Sequence, residues 1–272
     1  MPTRGWQNRP VPTPAGLPAA ASAPLRGLLT GPARAAVVRG VFPRALYVDL
    51  DGEVVAVVTA DALRLPCALV LAGRSSSRPF DRISRGEMAT VGDGMVAVGD
   101  ERFAVRRWWR PRRALTVHPG PALATRTGAL AALLPPPPHP LPDRTLAPEH
   151  LVGLGPGLTP AGDDFLAAVL LTLTAAPGAA RDLGRINSAV EALLPSTTSL
   201  SATLLRHAAA GRGIPQVIDV VDAVAGSGEL EPAALRLLGV GHSSGPALAH
   251  GVMEAIHLIN DACADPSTER AA

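Results

Sequence analysis

Between Val37 and about Val117, apolar residues come in short runs separated by glycine-containing polar pairs, a pattern of strands and tight turns. Ala45–Leu50 and Glu53–Thr59 flank Asp51-Gly52, and a glycine there accepts the positive φ of a type I′ hairpin turn. Further strands are predicted over Cys67–Ala72, Met88–Val91, Met95–Val98 and Arg102–Arg107, punctuated by Gly73, Gly92-Asp93-Gly94 and Gly99-Asp100. From Pro148 the spacing lengthens to three and four residues. It predicts helices over Pro160–Ala176, Ala180–Leu194, Ser199–Ala210, Pro215–Ala225, Pro232–Leu238 and Pro246–Ala264. Proline near the first turn and glycine near the end follow the usual asymmetry of helix termini. The expected class is α+β: a small, mostly antiparallel β domain, barrel- or sandwich-like, followed by a helical bundle. Its divisions are a Pro/Ala-rich disordered extension (1–34), the β domain (35–134), a proline-rich linker (135–147), the helical domain (148–264) and a tail (265–272).

Composition narrows the chemistry. All 25 basic residues are arginine, which excludes a Schiff-base lysine and the lysine-dependent phosphate loop. The net charge of +2 is a small excess rather than a basic face, so nucleic acid is not an expected partner. Arginines beside Trp108 and Trp109 suit stacking on a nucleotide, yet two aromatics closing a barrel explain them as well. Cys67 and Cys263 are too far apart in the sequence, and too bare of histidines at ligand spacing, to suggest a disulfide scaffold or zinc site. The N-terminal stretch lacks the apolar core of a signal peptide, and the apolar run Phe165–Ala176 is too short for a bilayer. A cytoplasmic protein without a membrane partner is expected.

Three segments carry candidate chemistry. In the first, Gly153, Gly155 and Gly157 precede Thr159, Pro160, Gly162, Asp163 and Asp164. Alternate glycines allow a tight loop whose N–H groups converge, and Thr159 stands where an N-cap with Pro160 at N1 belongs. Such a helix start favours a small anion. Asp163 and Asp164 either stabilise that helix start or hold a magnesium ion as cofactor. The second segment, Ser196–Ser201, holds more hydroxyls than capping needs, so Thr198 and Ser201 are candidate ligand contacts. The third, Gly241-His242-Ser243-Ser244-Gly245, offers His242 as an acid–base group beside Ser243, Ser244 and Gly245.

Together these segments resemble a bacterial family of uncharacterised domains, domain of unknown function 2877, with the hallmark Gly-Leu-Gly-Pro-Gly-Leu-Thr-Pro-Ser-Gly-Asp-Asp. That hallmark stands at Gly153–Asp164 with Ala161 in place of its serine, and the two later segments follow in the family's order. Members include the AllH-type subunit of oxamate carbamoyltransferase. The resemblance implies a role beside larger partner subunits in allantoin and purine-nitrogen breakdown. It also implies a reaction yielding oxamate and carbamoyl phosphate from oxalurate and phosphate, with a small anionic substrate such as carbamoyl phosphate or oxamate. Asp163, Asp164 and His242 would then be the catalytic candidates. Ala247 stands where the family pattern carries an aspartate, a departure that allows a shifted substrate. A non-catalytic module that binds a small anion or assembles partners is the alternative.

Overall fold

The computed structural model describes residues 16–137 and 146–264. Eight strands close into a barrel: β1 (Leu17–Ser22), β2 (Arg34–Phe42), β3 (Ala45–Leu50), β4 (Glu53–Val58), β5 (Ala68–Leu71), β6 (Met88–Gly92), β7 (Met95–Val98) and β8 (Glu101–Trp109). The order around it is β1-β5-β4-β3-β2-β6-β7-β8. Pairing is antiparallel except for β4–β5 and the closing β1–β8 pair. Asp51 (φ 52°) with Gly52 (φ 84°), and Asp93 (φ 48°) with Gly94 (φ 78°), take the paired positive φ of type I′ turns. These two-residue turns fix the β3–β4 and β6–β7 registers, Leu50 opposite Glu53 and Gly92 opposite Met95.

Among the described residues, eight α-helices accompany the barrel: α1 (Arg26–Thr30), α2 (Pro121–Leu133), α3 (Ala161–Thr174), α4 (Ala180–Leu193), α5 (Ser199–Ala209), α6 (Pro215–Ala225), α7 (Leu230–Leu238) and α8 (Ser244–Ala264). From Ala161 to Leu173 every residue of α3 but Ala167 is buried, which makes α3 the axis of the helical layer. It packs most closely on α8, where a Cβ at Gly251 would lie 2.2 Å from the Phe165 carbonyl oxygen. Helix α5 lies between α3 and the barrel, contacting β3 and β4. That contact explains why β4 is buried on both faces from Val54 to Val58 and lacks strand alternation. The Val54 N–H donates to Thr203 Oγ1 at 2.9 Å, a polar link between barrel and helix. One buried cluster runs from barrel residues such as Leu46 and Val57 to Leu166, Val169 and Ile256 of the helices.

The α+β class and the barrel-then-helices order are as the sequence implies. Two boundaries differ. Residues expected in an extension reaching 34 instead include β1 and α1, while residues 1–15 lie outside the described residues. β1 reads Leu-Pro-Ala-Ala-Ala-Ser, without the β-branched residues that mark a strand, and its strand state comes from its pairing with β5 and β8. Residues 121–133, expected to belong to the β domain, instead form α2, which packs on α6, α7 and α8. Thr125, Thr127 and Gly128 weaken its helical signal. The link from β8 to α2 is fastened to the helices as well: Arg112 forks between Asp219 and Asp222 of α6. Leu115 N–H donates to Asp222 at 2.7 Å, and Val117 N–H donates to Ala175 O at 2.9 Å. The helical part thus begins before the proline run; residues 138–145 of that run and the tail 265–272 lie outside the described residues. No single helix among the described residues is long and apolar enough to cross a membrane.

Close approach at Gly251 sets the first expectation. Gly251→Ala forces α8 away from α3 and lowers stability in urea denaturation by about 1–3 kcal/mol. A Cβ at Gly128 of α2 meets no atom within 4 Å, so Gly128→Ala raises stability, by about 0.5–1 kcal/mol.

Candidate functional site

The loop before α3 turns on glycines at φ 76° (Gly153), 109° (Gly155) and 98° (Gly157). Gly153 must also lack a side chain, because a Cβ would sit 2.8 Å from Ser196 O. That closeness brings the loop onto the α4–α5 connection, where Asp163 ties them together. Its Oδ1 accepts the Gly153 N–H at 2.9 Å and its Oδ2 accepts the Thr197 hydroxyl. Thr198 Oγ1 donates to Leu158 O at 2.6 Å and accepts the Ser201 N–H at 3.1 Å, so one hydroxyl holds the loop and caps α5. Thr159 Oγ1 lies 3.4 Å from Ser244 Oγ at the start of α8. The starts of α3, α5 and α8 therefore meet, which brings together the three segments singled out in the sequence.

Their roles differ from a simple array of free amide donors. The Gly153 N–H goes to Asp163, Leu154 N–H to Leu151 O, Gly162 N–H to Leu154 O, and both Asp163 and Asp164 N–H to Pro160 O. Ser201 and Ala202 at α5, and Gly245 and Ala247 at α8, are likewise bonded within the chain. Thr159 does not cap α3: the helix starts one residue later, Pro160 holds the cap position, and the Thr159 hydroxyl turns to Ser244. Gly162 and Gly245 serve close packing, since a Cβ would lie 2.1 Å from Leu151 O and 2.2 Å from Leu237 O respectively. Gly155 and Gly157 shape the turn.

A cavity of about 240 Å³ opens beside this junction, between barrel and helices. Its polar wall holds Thr159, Asp164, Gly241, Ser244 and Arg212, with Tyr47 from β3; most of the rest is aliphatic. Asp164 is 8% exposed and its Oδ2 has no hydrogen-bond partner among the described residues. Burial pushes its pKa up to about 7; the Asp163 charge adds to the rise, and the Ser244 and Thr159 hydroxyls oppose it. Burial also raises Asp163, against the lowering effect of Thr197, Gly153 and Ser201. Arg212 brings a guanidinium to the same cavity, and its buried Nε has no partner among the described residues. Burial and the neighbouring Arg113 charge lower its pKa, but a guanidinium stays cationic in proteins. His207, buried nearby, is lowered to about 4 by burial and then by the Arg212 charge, so it is neutral at physiological pH.

Not every candidate meets the cavity. His242 is exposed and is not among the lining residues; Ser243 is half-buried and lends its carbonyl to Ala247 N–H. Ser201 is buried under the junction, beside Asp163 and outside the cavity lining. Ala247 is buried and does not line the cavity. For magnesium, the donor set is thin. Both Asp163 oxygens are engaged, and no group of three His, Cys, Asp or Glu suited to a metal occurs among the described residues. Sequence reasoning missed Arg212 and Tyr47. A lone arginine between Gly211 and Gly213 was the available signal for the first; the second arrives only by tertiary packing.

The raised Asp164 pKa fixes the sign of a pH effect. Between about 4 and 7 the folded chain keeps a proton that the unfolded chain has lost, so this group's contribution to stability falls as pH rises through that window. Asp163 acts in the same direction. Urea unfolding of wild type against Asp164→Asn, from pH 4 to 8, is expected to show a stability difference that moves in favour of the variant as pH rises; a pH-independent difference contradicts the assignment.

No curated protein and no solved structure matches the chain. One family does. Residues 151–256, less than half of the chain but spanning the glycine loop, α3, the Thr197–Ser201 segment and most of α8, match the family described as oxamate carbamoyltransferase subunit AllH, and the resemblance read from the motifs holds on that helical segment.

Proposed function

We propose that this chain is a subunit of an oxamate carbamoyltransferase-like enzyme of purine and allantoin nitrogen catabolism, and that its cavity receives a small anionic substrate. The observation that carries this reading is the buried, unpartnered oxygen of Asp164 in a cavity shared with Arg212, inside the matched segment. Oxamate and carbamoyl groups pair an anionic or carbonyl end with an amide N–H₂. A guanidinium is suited to the anion through charge-assisted hydrogen bonds, and a carboxylate oxygen accepts the amide N–H. Asp164, its pKa raised to about 7, is poised to return a proton to the oxamate nitrogen as its bond to the carbamoyl carbon breaks and phosphate takes that carbon, or to remove the proton in the reverse direction. Thr159 and Ser244 supply hydroxyls that donate or accept as the charge on the substrate changes. Asp163 acts through geometry, holding the loop so that Asp164 faces the cavity. Being one subunit of such an enzyme implies partner subunits, and the reaction is expected only from the assembled complex.

With partner subunits present, Asp164→Asn is expected to lower kcat by about 100-fold or more, the usual scale for losing an acid–base group. Arg212→Gln is expected to raise KM about tenfold or more, the scale of a lost charged hydrogen bond. Near-normal turnover in both variants overturns the reading. Thermal-shift titration with oxamate, oxalurate, carbamoyl phosphate and phosphate, with and without magnesium, adds a second readout. Stabilisation by oxamate without turnover in the presence of partners favours a binding module instead.

A further inference from the structure

The barrel carries a second concavity, away from the AllH-like segment. A groove of about 280 Å³ lies over β1, β5 and β8 and is lined by Arg64, Arg106, Arg107 and Trp109 above an apolar floor that includes Ala20 and Val70. Among the described residues, none lines both this groove and the cavity of Asp164, and no carboxylate lines the groove.

Strand geometry explains how three arginines share it. Along a regular strand, consecutive side chains point to opposite faces, so Arg106 and Arg107 would separate. Here the β1–β8 register slips: Ala19 faces Val105 while the next residue, Ala20, faces Arg107. Arg106 is thus the extra residue of a bulge, a device that re-aims side chains and is rare between parallel strands. The slip lets both arginines line the same groove as Trp109, two positions further on. Arg64, from the β4–β5 connection, completes the set with its guanidinium 5.4 Å from the Trp109 ring centroid. The Trp109 Nε1–H is buried without an acceptor among the described residues, an orphan donor of the kind that native folds seldom leave.

We infer that this groove binds a small phosphate ester with an apolar or aromatic body. Guanidinium groups match phosphate oxygens bidentately, the indole N–H gives a further donor, and the aliphatic floor accepts the body of the ligand. The groove's size suits a small molecule better than a strand of nucleic acid.

Isothermal titration of the full chain with adenosine monophosphate, inorganic phosphate and adenosine tests this. Saturable binding of adenosine monophosphate is expected, with both inorganic phosphate and adenosine weaker by about tenfold or more. The double variant Arg106→Gln/Arg107→Gln, at exposed positions, should weaken the nucleotide by a similar factor with an unchanged Tm. Trp109→Phe, which keeps the ring and removes the N–H, should weaken it as well. Arg212→Gln should bind it like wild type, which separates this groove from the substrate cavity. Absence of saturable nucleotide binding, binding untouched by the double arginine variant, inorganic phosphate binding as tightly as the nucleotide, or binding lost in Arg212→Gln would each overturn the inference.

Discussion

The arrangement of the helical half depends on one buried carboxylate. Asp163, 2% exposed, accepts the Gly153 N–H on one oxygen and the Thr197 hydroxyl on the other. It thereby joins a loop, the helix that follows it, and the start of a second helix. Leaving such a group without partners costs far more than an ordinary hydrogen bond contributes, so the loop has little freedom to depart. The glycines follow from this constraint. Gly153 must approach Ser196 within what a side chain would occupy, and Gly162 must let α3 press against Leu151. What looks in sequence like a loop built to display N–H groups is in the structure a clamp.

The clamp gives the next residue its chemistry. Adjacent helical positions point about 100° apart, so when Asp163 faces the loop, Asp164 turns elsewhere. It turns into the cavity, where Thr159, Ser244 and Arg212 are its polar neighbours in an otherwise largely aliphatic wall. Two neighbouring carboxylates thus meet different environments: one is bonded on both oxygens, the other keeps an unpartnered oxygen and a pKa pushed up to about 7. Divergent environments for paired acids are a common way to divide positioning from proton transfer. His207 is excluded from cationic roles nearby by burial and by Arg212, which leaves the guanidinium as the positive group of the cavity.

Much of the fold was legible because its signals are local. Asp51-Gly52 and Asp93-Gly94 encode their turns in two residues, and α3 to α8 follow their apolar spacing to within a few residues at each end. β1 and α2 were hidden because Ala, Thr and Gly carry weak local preference; neighbours decide their state. The site was legible as three segments but not as an assembly. Sequence placed Asp163, Asp164, Thr159 and Ser244 among the candidates, and the fold joins them. It also suggested His242, which stands exposed outside the cavity, because a histidine in a glycine turn carries no mark of which way it points. Tyr47 enters from a distant strand with nothing near it in sequence to announce a partner, and Arg212 was marked only by the glycines on either side of it.

The Asp163 clamp holds Asp164 buried, with burial raising its carboxyl pKa to about 7. Carbon-13 NMR titration of the aspartate side-chain carboxyls, with Asp164 assigned by its disappearance in Asp164→Asn, measures this directly. A carboxyl titrating near 7 that shifts toward the ordinary aspartate range in Thr197→Val, where the clamp loses its hydroxyl, is the expected result. An Asp164 carboxyl that titrates near 4 in the wild-type chain, as an exposed aspartate does, would contradict it.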